Sequence, residues 1–222
     1  MTAPFLQKQD ARIGIMGGTF DPIHVGHLLL AEQVREALQL DGVLFVPAGN
    51  PSFKQDRKVA PADDRLAMVE LAVADNPHFA VSDREVRRQG VTYTVDTLLE
   101  LREVLPAGVQ LFFIMGSDTL ATLHHWRSAD LLCKLATFVG VDRPGDVTIS
   151  DSDLSALESA GFDVEMVQVS AFEVSSSSIR QRLAQGQSVR YLVPTPVIDY
   201  LKEHGTYSPE LSREGDIHHG KA

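Results

Sequence analysis

The sequence predicts an α/β fold with a doubly wound, mainly parallel sheet and a small C-terminal helical part. Three observations lead there. Short apolar runs alternate along the chain with segments of helical periodicity, and such alternation makes parallel strands joined by right-handed crossovers. The run Val43-Leu44-Phe45-Val46 is apolar throughout, as a strand covered on both faces requires. A strand-like run ending at Gly17-Gly18 leads directly into a helical pattern.

The elements follow in order. Residues 12–16 form the first strand. Gly17 and Gly18 turn the chain and let backbone approach a ligand, since neither carries a Cβ. Residues 24–39 form a helix, with Val25, Leu28, Leu29, Ala31, Val34 and Leu38 at helical spacing. Asp41-Gly42 turns into a strand at 43–46, and 47–60 is a polar loop. Helix 63–74 is apolar over more than half its circumference. Residues 79–81 make a short strand and 83–92 a polar connection. Helix 94–104 turns Val95, Leu98, Leu99, Leu101 and the following Leu105 inward. A strand at 110–115 precedes Gly116-Ser117-Asp118 and two short helices, 119–123 and 128–132. Residues 136–141 and 164–169 are strands flanking a helix at 151–160, which starts at a good capping residue. Helices at 177–184 and 196–204 complete a single domain spanning 1–207, whose helical C-terminal part begins at about 175. Residues 208–222 are polar and read as a disordered tail.

Ligands of doubly wound sheets bind beyond the carboxyl ends of the strands. The glycine turn, the loop over 47–54 and Gly116-Ser117-Asp118 all belong on that edge.

Composition narrows the function. A chain of 222 residues with 44% hydrophobic content can bury a substantial core. Its net charge of −10 argues against a general nucleic-acid surface, which is normally basic, but not against a small anionic ligand held by local positive groups. One cysteine, Cys133, rules out a disulfide framework within the chain and fits a reducing cytoplasm. The first ten residues lack the apolar core of a secretory leader, and no apolar run reaches membrane-spanning length.

The densest chemistry lies in Gly17-Gly18-Thr19-Phe20-Asp21-Pro22-Ile23-His24-Val25-Gly26-His27. His24 and His27, three residues apart at a helix start, share one face. The first-turn amides there attract anions. A metal pair is the alternative, but the HExxH pattern is absent and no third ligand stands nearby. The P-loop and dinucleotide fingerprints do not fit either. Before another helix, Ser175-Ser176-Ser177-Ser178-Ile179-Arg180 offers hydroxyls and amides to phosphate oxygens. Taken alone, the same run is a serine-capped helix with a surface arginine. Thr92-Tyr93-Thr94 precedes a helix, and Trp126, the one tryptophan, sits among polar neighbours in His124-His125-Trp126-Arg127. It is either core or an aromatic face at a cleft. Asp118 is either a cap or an acceptor for a ribose hydroxyl.

Together these strings resemble the HxGH nucleotidyltransferases. Gly-Gly-Thr-Phe-Asp-Pro-x-His-x-Gly-His carries the superfamily signature, and Ser175-Ser176-Ser177-x-x-Arg180 resembles its ISSTxxR motif, with Val174 replacing the usual Ile. Tyr93-Thr94 with Trp126 is similar to the acceptor site of the bacterial nicotinate mononucleotide adenylyltransferases. The resemblance runs from about Arg12 to Tyr207 and includes the Val46-Pro47 loop and Arg143-Pro144-Gly145. It implies a Rossmann-like nucleotidyltransferase fold and AMP transfer from ATP to nicotinate mononucleotide. In that reading His24, His27, Arg180 and Lys54 are catalytic. Gly17, Gly18, Thr19, Phe20 and Ser177 join the histidines and Arg180 in holding ATP. Tyr93, Thr94, Asp118, Trp126 and Arg127 hold the acceptor. Mg2+ arrives with ATP, without a protein cage. One departure matters: many relatives carry Pro-Pro-His-Lys/Arg where this chain has Pro51-Ser52-Phe53-Lys54, so the histidine's role does not transfer. Arg127 stands where an aromatic residue often follows the tryptophan, and the resemblance implies a backbone contact there to the nicotinate carboxylate. The alternatives are HxGH enzymes using phosphopantetheine or FMN, and a nucleotide-binding module without turnover.

Overall fold

The computed structural model describes residues 3–50, 59–142, 149–170 and 173–207. Lys54 and Phe53, Arg143-Pro144-Gly145 and the tail 208–222 lie outside the described residues.

Six parallel strands form one sheet: β1 (Arg12–Gly18), β2 (Gly42–Pro47), β3 (Phe79–Val81), β4 (Gln110–Gly116), β5 (Thr137–Asp142) and β6 (Val164–Gln168), in the order β3-β2-β1-β4-β5-β6. The chain winds outward from β1 to β3, returns to the centre at β4, and winds the other way. The strand order therefore reverses between β1 and β4, the place beyond whose carboxyl ends such sheets bind their ligands. Ile15 stands opposite Leu44 on one side and Phe113 on the other.

Alternation is present inside the apolar runs, but both faces are dry. Met16, Val43, Phe45, Phe112, Ile114 and Val139 point into one buried cluster. Ile13, Ile15, Leu44, Val46, Phe113 and Phe138 point into the other. The first cluster is roofed by α1 (Val25–Ala37), α2 (Ala62–Val73) and the C-terminal helices α8 (Ser176–Ala184) and α9 (Thr195–Glu203). The C-terminal part expected from about 175 thus shares a core with Val34 and Met68, through Ile179, Val197 and Leu201. The second face is covered mainly by α4 (Thr94–Val104), α6 (Ala129–Leu132) and α7 (Asp151–Ser159). The described residues include two further short helices, α3 (Arg84–Arg87) and α5 (Ser117–Leu120).

Burying one such large apolar side chain contributes on the order of 1.5–3 kcal/mol, against about 0.3–1 kcal/mol for a charge at a helix end. Face burial therefore decides which helices exist, and capping decides where they begin. On α4 the buried stripe is Val95, Leu98 and Leu101. Leu99, expected inward, is exposed, because it lies about 100° around the helix from Leu98. No helix among the described residues is long and apolar enough to cross a membrane.

Candidate active site

In a doubly wound sheet, each helix that follows a strand starts at the carboxyl edge. That rule brings the first turns of α1, α4, α5 and α8 to one rim, carrying the histidine, Tyr93-Thr94, Asp118 and serine segments.

The glycine pair does not form the turn itself. Gly17 and Gly18 end β1, paired with Val46 and Pro47, and the chain turns after them. A Cβ on Gly18 would come within 2.9 Å of the Phe20 ring, so this glycine lets Phe20 fold back. Phe20 takes a left-handed φ of 48° and buries its ring. Only its backbone is left to face a ligand. The Asp21-Pro22 bond is cis.

His24 is the N-cap of α1 in extended conformation, not its first helical residue. Its backbone N–H donates to Nδ1 of His27 at 3.2 Å, and the two rings stack with centroids 3.7 Å apart. Phe20 meets the His27 ring edge-on at 5.1 Å. An accepting Nδ1 carries no proton, so the neutral His27 ring is assigned the Nε2–H tautomer. That gives the site a donor on the ring nitrogen farther from the backbone.

The α8 segment docks on this loop. Ser175 caps α8 by accepting from the Ser178 amide at 3.1 Å. Ser176 Oγ donates to the Pro22 carbonyl at 2.9 Å. Arg180 donates through Nη1 to the Asp21 carbonyl at 2.6 Å and through Nη2 to Ser177 Oγ at 3.0 Å, and its guanidinium lies 3.5 Å from the Asp21 carboxylate. A Cβ on Gly26 would press 2.7 Å against Val174, so that glycine lets the α8 approach lie against the first turn of α1. Because α8 begins at Ser176, Arg180 sits one residue deeper than expected, and Asp21 offsets the charge it brings toward the helix N-terminus. A cleft of about 600 Å³ is lined by Ala60, Pro61, Ser177, Arg180, Gln181 and Tyr207, among others.

A second cleft, of about 460 Å³, is lined by Thr92, Tyr93, Thr94, His125, Trp126 and Arg127, with Val95 and Leu132. Tyr93 is the N-cap of α4, so the amides that follow it belong to a helix first turn. Trp126 is half-buried: its indole donates to Thr122 Oγ1 at 3.1 Å and meets Phe113 edge-on. Core and cleft readings are both met, one edge packed and the remainder lining the cavity. The Arg127 guanidinium lies 4.4 Å over the Tyr93 ring. Asp118 is exposed in the first turn of α5, beyond the end of β4. No group of three His, Cys, Asp or Glu among the described residues has the geometry to hold a metal ion.

Sequence reasoning passed over three residues under the first cleft. Arg65 is 1% exposed and donates to the carbonyls of Thr19 (2.7 Å), Gly49 (2.9 Å) and Ala60 (3.0 Å). Burial pulls its pKa down and the nearby Asp21 charge opposes that. Asp21 is also 1% exposed and accepts from the Ala60 amide at 3.1 Å and from the Tyr207 hydroxyl. Burial, with the Asp21 hydrogen bond and charge, drives the Tyr207 phenol far above its ordinary pKa. The signal for Arg65 was available: it lies on the same helical stripe as Met68, Val69 and Ala72.

Comparison with known proteins places residues 15–182 in a match to the cytidylyltransferase-like family model. A Dehalococcoides mccartyi protein named probable nicotinate-nucleotide adenylyltransferase is 46% identical over 200 residues, covering 88% of this chain and 97% of that protein. A Corynebacterium kroppenstedtii protein of the same name is 46% identical over 198 residues, covering 89% and 92%. Among solved structures, Plasmodium falciparum nicotinic acid mononucleotide adenylyltransferase complexed with NaAD matches with a TM-score of 0.71 at 20% identity, covering 89% of this chain and 97% of that one. That last likeness is one of fold.

Proposed function

The chain belongs to the cytidylyltransferase-like family and, within it, to the nicotinate-nucleotide adenylyltransferases, and we infer that it transfers AMP from ATP to nicotinate mononucleotide. The products are nicotinate adenine dinucleotide and pyrophosphate, a step of NAD biosynthesis carried out in the cytoplasm. The observation that supports the site assignment is the stitching of α8 to the motif loop, which ties Ser176 to Pro22 and Arg180 to Asp21 in the segment that leads into His24 and His27.

A phosphate oxygen of the acceptor attacks the α-phosphorus of ATP. The bond from that phosphorus to the bridging oxygen breaks, and its electron pair leaves with pyrophosphate. The nucleophile is already ionised near neutrality, because a second phosphate pKa lies near 6. No general base and no covalent intermediate are needed, so the protein's work is alignment and charge stabilisation. His27 donates from Nε2 to the phosphates, beside His24. The backbone of Gly17, Gly18, Thr19 and Phe20 approaches the nucleotide. Ser177 and Arg180 hold the β- and γ-phosphates. Lys54, in the sequence between β2 and α2, adds a charge. Mg2+ enters bound to ATP as part of that substrate. Asp118 accepts from a ribose hydroxyl. Trp126 stacks on the nicotinate ring, while amides at Thr94 and Arg127 receive its carboxylate.

The test is an acceptor panel with pyrophosphate readout. ATP and Mg2+ with nicotinate mononucleotide should release pyrophosphate, and phosphopantetheine or FMN should not. Turnover with either of those in place of the nicotinate nucleotide overturns the substrate. ATP binding with no release across the panel makes the protein a binding module.

A further inference from the structure

Under the triphosphate side lies a buried polar cluster that no step above uses. Asp21 sits inside the motif loop, yet its carboxylate points away from solvent, 1% exposed. A buried carboxylate is costly unless paired and hydrogen-bonded. This one has the Arg180 guanidinium at 3.5 Å, the Ala60 amide at 3.1 Å and the Tyr207 hydroxyl. Its own backbone carbonyl holds Arg180 Nη1 at 2.6 Å. One residue therefore grips Arg180 twice, through carbonyl and carboxylate, and Tyr207 and Ala60 fix where that carboxylate stands. Arg65 secures the same neighbourhood from behind through Thr19 and Ala60.

We propose that Asp21 and Tyr207 are positioning residues for Arg180, holding its guanidinium where the phosphates of ATP will lie. The proposal rests on the assignment of Arg180 to the triphosphate made above. A free arginine side chain has rotamer entropy to lose on ordering, and the Asp21 clamp removes much of that loss before ATP arrives. Without the Tyr207 hydroxyl, the buried carboxylate keeps the Ala60 amide but loses one of its donors, and it draws more strongly on Arg180, turning the guanidinium inward. The effect is confined to ATP. The acceptor cleft is built from the α4 start and the Trp126 segment, and neither Asp21 nor Tyr207 lines it.

The experiment uses the full chain, with Tyr207→Phe as the mildest variant and Asp21→Asn as the second. ATP affinity is measured by calorimetry with a non-hydrolysable ATP analogue and Mg2+, alongside steady-state kinetics. Tyr207→Phe should weaken analogue binding and raise the KM for ATP about five- to ten-fold, the scale of one ordinary net hydrogen bond. The KM for nicotinate mononucleotide should stay within about two-fold on the same reasoning. In an Arg180→Met background the same substitution should change analogue affinity no further, because its route to ATP is gone. A lowered Tm with unchanged ATP affinity overturns the proposal, as does an equal loss for both substrates or an undiminished effect in the Arg180→Met background. If the wild-type protein fails to turn over nicotinate mononucleotide, the substrate assignment falls, and the analogue titration still decides the positioning role.

Discussion

At Gly26 the site leaves no room for a methyl group. A Cβ there would stand 2.7 Å from Val174 Cγ1 and 3.1 Å from His24 Nδ1. Gly26→Ala must push the α8 approach off the first turn of α1, or tilt the His24 ring. Overpacking of this kind costs about 1–3 kcal/mol, and here it also disturbs the docking of the α8 approach on the motif loop. The variant should lose stability in urea titration and lose most of its pyrophosphate release. Adding Val174→Ala should restore both, because it returns the missing space. Wild-type turnover in the single variant would show that the close approach is unimportant. Arg127 poses a question of charge. Its guanidinium rests on Tyr93 at the wall of the second cleft, where we propose that it favours a carboxylate acceptor over a carboxamide. The group is exposed, and screening limits the effect to about 0.5–1 kcal/mol. Arg127→Gln should lower kcat/KM about two- to five-fold for nicotinate mononucleotide and leave nicotinamide mononucleotide nearly unchanged. The gap should shrink at high salt. Equal losses on both acceptors would reduce Arg127 to a packing residue.

Elements were legible where one face is long and apolar. Helix 94–104 was read to the residue, because its stripe is regular and Tyr93 ends the extended chain before it. The starts of α1, α2 and α8 each shifted by a residue, since a cap lies outside the apolar pattern that reveals the helix. Gly17-Gly18 read as a turn because glycine pairs usually are one. In the sheet they are the last rungs of β1, since β2 supplies partners as far as Pro47. The helix Arg84–Arg87 and the 3-10 turn Pro4–Gln7 are too short to carry a period. The 3-10 turn matters nonetheless, since Phe5 fills the space a Cβ on Gly42 would need. The histidine and serine segments were found because each is a contiguous string at a helix start. Asp21, Arg65 and Tyr207 were not, because their meaning is a meeting of segments far apart in the chain. Only the fold reveals that meeting.

The whole molecule closes on that meeting. The loop after β1 is tied to the C-terminal part by the Val25 amide on the Leu192 carbonyl, Ser176 on Pro22, Arg180 on Asp21 and Tyr207 on Asp21. These links span more than 150 residues of sequence, so the native environment of Tyr207 exists only while that long-range closure holds. That makes the phenol a reporter of folding. Its native pKa is raised, first by burial and then by the Asp21 hydrogen bond, whereas an unfolded tyrosine ionises near pH 10, as an order-of-magnitude reference. Below that pH both states hold the proton and the stabilisation is fully present. Above it the unfolded chain loses the proton and the native chain keeps it, so stability falls by about 1.4 kcal/mol for each pH unit from this one group. Tyr200, pushed up to about 12 by burial and then by its hydrogen bond to Asp64, adds a loss of the same sign. Urea unfolding between about pH 9 and 11.5 should therefore show a steep alkaline decline in the wild-type protein and a shallower one in Tyr207→Phe. The difference in slope should approach one proton, because only the Tyr207 contribution has been removed. Parallel declines would mean that Tyr207 ionises equally in both states and that the closure does not hold its hydroxyl in solution.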